Sequence, residues 1–436
     1  MIRRIRYESM RLVEGPLLLK LQSFLIKRQK KKPEKYPELG PPLKTEERLR
    51  KMISLHYLTG RYADGAVPVA WATSGAPVEI LRPLNYHVVY PENHAALCGA
   101  RHMAGPLLEL AESRGYSPDL CGYARCDLGT AFGGRTPAGR LPRPDLLVAC
   151  TNICQTVFFW YRELARHFQV PLVLIDTPFL YGEPLPHQIS YIEAQLRTLA
   201  DVASDVARRP YDLESLIRAT LLGMEGSLLW RQCLETNKAK PAPWSAFDQF
   251  VHMAVIVALR GTEECNSYYR ELLDELKDRV KRGIGGIANE RHRLLWDNLP
   301  VWFKLRSLSG RLASKGFHLM ASTYTNAWGE TADLLNETDP WRGMAKAYSH
   351  IYLNRDLPNK LRVMSQLVKL YECDGVILHS DRSCKPYSLG QISLSEKVAQ
   401  ACGARTMLLE ADHIDTRAWV EGAVDTRLQA FMESFK

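Results

Sequence analysis

Cysteine placement carries most of the chemical information in this chain. Cys154 falls between a short apolar run of strand type, 146–149, and a segment in which Ile153, Val157, Tyr161, Leu164, Ala165 and Phe168 recur at helical intervals. Open α/β sheets place ligands there, just beyond the carboxyl end of a strand. Asn152 suits a helix N-cap, so a thiolate two residues on would face unpaired backbone N–H groups and the positive end of a helix dipole. Cys384 repeats the arrangement: 376–379 is apolar, a polar turn follows, and Pro386 suits the opening of a helix. Cys121 is the third candidate, in a segment bearing Gly and Asp rather than on an apolar face. Three thiolates from three loops suit an iron–sulfur cluster.

The other cysteines have plainer settings. Cys126 stands five residues after Cys121, as in plant-type ferredoxins, but the C-x-x-C that should follow is missing. Cys98 and Cys402 fall on expected helices and Cys150 ends a strand, the places of small core residues. Cys233, Cys265 and Cys373 have no ligand-like context.

Positioning these groups requires a large α/β scaffold, and 436 residues with 46% apolar content can supply one. The spacing predicts strands at 67–72, 86–90, 146–149 and 172–176, alternating with helices at 77–83, 94–114 and 153–168. A second series has strands at 293–296, 317–322, 375–379 and 406–409. Its helices are expected at 301–314, 341–371 and 389–401, with a terminal helix after the last strand, ending at residue 435. Such alternation implies parallel sheets. The openings rhyme, VAWATSGAPVEIL against RLLWDNLPVWFKL, so the fold expected is two Rossmann- or flavodoxin-like lobes related by internal duplication. The lobes span 60–187 and 286–436, with a helical insertion at 188–285 and an N-terminal helical extension with a basic linker at 1–59. A helix over 10–25 would offer its leucines to another lobe or subunit, and 33–42 is a proline-rich break before a helix at 46–59.

Charge excludes more than it suggests. Residues 1–51 hold 15 Lys and Arg against 6 Asp and Glu, which is the whole formal +9, and the remainder balances at 42 against 42. The basic run KRQKKKPEK at 27–35 is expected to be a solvated linker between an N-terminal amphipathic helix and the first lobe, the alternative being a dock for an acidic partner subunit. The most apolar window, 247–259, is interrupted by Asp248, Gln249 and His252, so no membrane span is expected. Ten cysteines are too sparse for a disulfide scaffold, and without a recognisable signal peptide a reducing cytoplasm is the expected location.

LCGYARCDLG at 120–129, the Asn152/Cys154 turn, RSCKPYS at 382–388 and LEADHID at 409–415 resemble motifs of the 2-hydroxyacyl-CoA dehydratase and class I benzoyl-CoA reductase superfamily. The resemblance spans roughly residues 60–436. YPENHAALCGARHMAGPLLE and the overall length are most similar to the B-type subunits of ATP-dependent benzoyl-CoA reductases. This likeness implies that Cys121, Cys154 and Cys384 hold a [4Fe–4S] cluster with one iron open or bridged. It also implies a homologous cluster-binding partner subunit, an ATPase activator pair with its own cluster, and ferredoxin as electron donor. The substrate would be an aromatic acyl-CoA, benzoyl-CoA taking up two electrons and two protons to give a cyclohexadiene-carbonyl-CoA. Water loss from a 2-hydroxyacyl-CoA, or a cluster-binding scaffold without turnover, are the alternatives.

The resemblance further implies that Ser74 and Glu92 meet the substrate, although Ser74 equally suits a cap for the helix near Pro77. Glu410 and Asp412 are expected either beside the ligands or paired with Arg417, and Tyr123 and Tyr387 follow closely on Cys121 and Cys384. ATP chemistry is not expected in this chain itself, which lacks G-x-x-x-x-G-K-[ST]. The glycine-rich run at 283–288 follows a charged helical stretch and suits a helix-ending turn.

Overall fold

The computed structural model describes residues 1–28, 35–335 and 338–435. Residues 29–34 of the basic run lie outside the described residues. Four parallel strands, β1 (Val69–Ala72), β2 (His87–Val89), β3 (Leu146–Cys150) and β4 (Leu172–Ile175), form a sheet in the order β2-β1-β3-β4. A second parallel sheet holds β5 (His292–Asp297), β6 (Phe317–Ser322), β7 (Gly375–Asp381) and β8 (Arg405–Ala411), in the order β6-β5-β7-β8. The two orders are the same when numbered within each lobe. In each, the winding of the chain changes direction between the two central strands, which opens a crevice at their carboxyl ends.

Buried on both faces, most of the strands carry near-continuous apolar runs, whereas the edge strands β4 and β8 alternate in burial. Within β1 the pleat sends Val69 and Trp71 into one core, which continues into the second lobe, and Ala70 and Ala72 into another shared with the helices of residues 186–281. Those helices, chiefly Pro186–Ala207, Leu213–Glu235 and Glu263–Lys281, occupy the stretch in which the sequence predicts helix without strand. Gly283, at φ 65°, belongs to the turn that ends the last of them.

Two long helices expected from periodicity are each divided. Residues 94–114 form Pro91–Ala100 and Ala104–Glu112, because Pro106 has no N–H to give to the preceding turn and His102 adopts a left-handed conformation. Residues 341–371 form Pro340–Ser349 and Leu357–Leu370, with Pro358 in the first turn of the latter. The N-terminal helix runs Ile2–Ser9, widens to a π-turn at Met10–Glu14 and continues as Gly15–Arg28. Leu12, Leu17, Leu18 and Leu21 on it are exposed.

Candidate functional site

All three candidate cysteines stand at helix N-termini. Cys121 is the N-cap of the Gly122–Ala131 helix, so the segment expected to be a loop is a helix start. Cys384 is the N-cap of the short Lys385–Ser388 helix beyond β7. Cys154 lies in the turn between β3 and the Thr156–Phe168 helix. Backbone N–H groups of Thr156 and Val157 favour its thiolate, yet burial, aided by the charge of Cys121, pushes the thiol up to about 12. Burial also holds Cys384 well above the usual thiol range, with Asp381, Cys121 and Cys154 adding repulsion. Cys121 thus opposes the ionisation of Cys154, and both oppose that of Cys384. Such a set is stable as thiolates only around a cation, which fits an iron–sulfur centre held by Cys121, Cys154 and Cys384.

Direct bonds tie the ligand-bearing turns together across the lobes. Ser383 Oγ accepts the Gly122 N–H at 3.0 Å and donates to Asp412 Oδ2. A Cβ at Gly122 would lie within about 3 Å of Ile414, Asp412 and His413, so the approach of these turns needs glycine. Tyr123 accepts a hydrogen bond from Trp302 Nε1 and packs edge-on against His413, with ring centroids 4.2 Å apart.

Several sequence expectations are revised by this geometry. Asn152 does not cap the next helix, which begins at Thr156. Its Nδ2 instead donates to Gly75 O at 3.0 Å and Tyr348 O at 2.9 Å, joining the β1 and β3 turns to the second half of the chain. Ser74 does not cap the 3₁₀ turn Val78–Leu81. Arg417 pairs with Asp415 and Glu112 rather than with Glu410 or Asp412. Asp412 is buried and accepts from Ser383, Ile414 and Asp415, whereas Glu410 is exposed. Cys402, expected in the core, is half-buried. Cys98, Cys126, Cys150, Cys233, Cys265 and Cys373 are buried.

Ile153, next to Cys154 in the chain, and Tyr387, on the helix that Cys384 caps, line a cavity of about 90 Å³ whose largely apolar wall also includes Tyr324, Trp328, Tyr348 and Tyr352. Ser74 and Gly75 line it from the β1 turn, and the Ser74 N–H donates to Glu92 Oε1 at 3.1 Å. Burial pushes the Glu92 carboxyl up to about 7 against the pull of Ser74, and Oε2 has no hydrogen-bond partner among the described residues. At another wall Arg260 and Glu79 form a buried ion pair, with Nε 3.0 Å from Oε1, and the Tyr348 hydroxyl donates to Glu79 Oε2 at 2.6 Å.

Sequence reasoning missed His413, Asp381 and Arg260. His413 Nδ1 lies 2.7 Å from Asp381 Oδ2, and the two carboxylates of Asp381 and Asp412 hold its imidazole well above the usual range despite burial. Its only trace in the sequence was membership of the LEADHID motif. Among the described residues Asp381, Asp412 and His413 are also near enough to hold a metal ion, but each is engaged in the hydrogen bonds above. No helix among the described residues is long and apolar enough to cross a membrane.

Comparison with known proteins agrees with this architecture. The family described as "2-hydroxyglutaryl-CoA dehydratase, D-component" matches residues 73–435. The chain is 32% identical to the (R)-2-hydroxyisocaproyl-CoA dehydratase alpha subunit of Clostridioides difficile, covering 84% of this chain and 90% of that one. It is 31% identical to the (R)-phenyllactyl-CoA dehydratase alpha subunit of Clostridium sporogenes, covering 84% and 89%. A benzoyl-CoA reductase subunit of Thauera aromatica is 26% identical, covering 88% and 93%.

Proposed function

Because the chain belongs to the 2-hydroxyglutaryl-CoA dehydratase D-component family, we propose that it is the cluster-bearing subunit of an enzyme that removes water from a 2-hydroxyacyl-CoA with an apolar or aromatic acyl group. The observation that supports this reading is that Cys121 and Cys154 both act on the ionisation of Cys384, while Ile153 and Tyr387, near two of these cysteines in the chain, line an aromatic-walled cavity on which Ser74 also opens, with Glu92 bonded to the Ser74 N–H. The higher identity to dehydratase alpha subunits favours dehydration.

The three cysteines would hold a [4Fe–4S] cluster, leaving one iron open or bridged, and when bound that group supplies single electrons at low potential. The rest of the work falls to this chain's side chains. Tyr324, Trp328 and Tyr352 seat the acyl group and exclude water. Ser74 orients the substrate oxygen, and Glu92 holds a proton at Oε2 near neutral pH for the hydroxyl that departs. Without a P-loop of its own, the chain takes its electrons from an ATPase activator pair bearing a separate cluster, fed by ferredoxin, and works beside a homologous subunit in the cytoplasm.

A second reading is the benzoyl-CoA reductase subunit of the ATP-dependent type. The five aromatic side chains of the cavity wall and the benzoyl-CoA reductase relative favour it. Anaerobic co-purification with the partner subunits, followed by assays for both reactions, separates the readings. Water loss from a hydroxyacyl-CoA with catalytic ATP supports dehydration. Loss of the aromatic absorbance of benzoyl-CoA with stoichiometric ATP supports reduction, and iron-free, colourless protein overturns both.

A further inference from the structure

Behind Glu92 the first lobe contains a cluster of polar groups that the proposed chemistry leaves unused. Glu92 Oε2, His94 Nδ1, Asp127 Oδ1 and Tyr161 OH are all buried and none has a hydrogen-bond partner among the described residues. They come from three helices, Pro91–Ala100, Gly122–Ala131 and Thr156–Phe168.

These groups act on one another through their charges. Asp127 bears on the ionisation of Glu92, His94 on that of Asp127, and Tyr161 is affected by Glu92, Asp127 and Tyr90 together. Glu92 in turn acts on Tyr324, which lines the cavity and also senses Cys384. The Trp160 Nε1–H fixes Asp127 through Oδ2 at 2.8 Å, which leaves Oδ1 for the other groups.

An unpartnered buried polar group costs about 1–3 kcal/mol, so four on three packed helices call for a purpose. Donors and acceptors that face one another without direct bonds are suited to internal water, which typically makes about three hydrogen bonds.

We propose that Asp127 and Tyr161, joined by internal water, form a buried proton relay that resets Glu92 during turnover. The inference rests on the reading of Glu92 as the group that serves the substrate. Dehydration removes one hydroxyl and one carbon-bound proton and leaves the enzyme unchanged, so a proton must be kept between two stages. When the Glu92 O–H bond breaks to complete the departing water, an O–H bond re-forms on Glu92 as the Asp127 O–H bond breaks, with Tyr161 and water passing the proton. The proton later taken from substrate carbon returns by the same route and restores Asp127. No electrons move in these transfers. Glu92 is the catalytic residue; Asp127 and Tyr161 act through it.

Infrared spectroscopy of the assembled, iron-loaded enzyme without substrate tests the relay independently of the reaction. At about pH 6 the wild type should show two protonated carboxyl bands, one lost in Asp127→Asn and the other in Glu92→Gln. Tyr161→Phe should shift the remaining pair, and in turnover assays lower kcat by about 10- to 100-fold with KM and iron content unchanged. Folded Tyr161→Phe protein with unmoved bands and wild-type kcat overturns the proposal. If Tyr161→Phe does not fold, the wild type alone decides, since the absence of protonated carboxyl bands at about pH 6 overturns it equally. Bands that respond as expected in an enzyme that dehydrates no CoA ester leave the relay standing and remove the reading of the reaction.

Discussion

Ser383 accepts the Gly122 N–H at 3.0 Å, and thereby binds the residue before Cys384 to the residue after Cys121. Two candidate ligands that lie in different lobes, far apart in sequence, are held in register by this one bond and by the Asp412 carboxylate that accepts from the same hydroxyl. Ser383→Ala removes both bonds and leaves a buried N–H and a carboxylate oxygen each without that partner. The expected cost is about 1–3 kcal/mol in anaerobic urea denaturation, with faster bleaching in air. Wild-type stability would show that the lobes are held by other contacts.

Cys154→Ala should abolish iron binding while the helices persist. Wild-type protein should carry about four iron per chain after anaerobic purification. The variant should have less than about one, with an unchanged far-ultraviolet circular dichroism spectrum. Full iron content in the variant would exclude Cys154 as a ligand.

The Glu92 carboxyl gives a pH dependence of defined sign. Its folded value of about 7 lies above the 4.5 expected without burial. The stability held in its protonated form is fully present below 4.5 and is lost as pH rises through about 7. Glu92→Gln, which stays neutral, should therefore gain on the wild type by about 3 kcal/mol between pH 5 and pH 8 in denaturant titrations. Asp127, likewise raised to about 7 by burial, keeps a similar slope in both proteins. A constant difference between the two curves would show that Glu92 is ionised throughout.

Arg260 and Glu79 are both buried, and their pair is completed by Tyr348. Arg260→Met leaves the carboxylate uncompensated and should cost about 3–5 kcal/mol by urea denaturation. Adding Glu79→Gln should restore most of that loss. A double variant no more stable than the single one would mean that packing against Trp328 and Tyr348, not charge, holds Arg260.

Ile351 lines the cavity and is half-buried. Ile351→Trp should fill much of the 90 Å³ space and raise KM for an aromatic acyl-CoA by about 10- to 100-fold, with iron content unchanged. An unaltered KM would place the acyl group elsewhere.

The strands were legible in the order of residues alone, because those in parallel sheets are buried on both faces and write continuous apolar runs that can be recognised one segment at a time. The turns after β1, β3 and β7 were legible too, since residues beyond the carboxyl end of a strand differ visibly from the run before them. Helix boundaries could be read only in part: periodicity runs through Pro106 and Pro358, which the chain treats as new beginnings. Contacts between distant segments came only with folding. Asn152 has the side chain of an N-cap, yet its Nδ2 donates to the Gly75 and Tyr348 carbonyls and the next helix begins only at Thr156. Asp381, Asp412 and His413, like Glu79 and Arg260, form buried sets whose members are ordinary in sequence and become a site only when folding removes water and brings their charges together. Spacing along the chain cannot carry that information, because desolvation and charge coupling depend on separation in space.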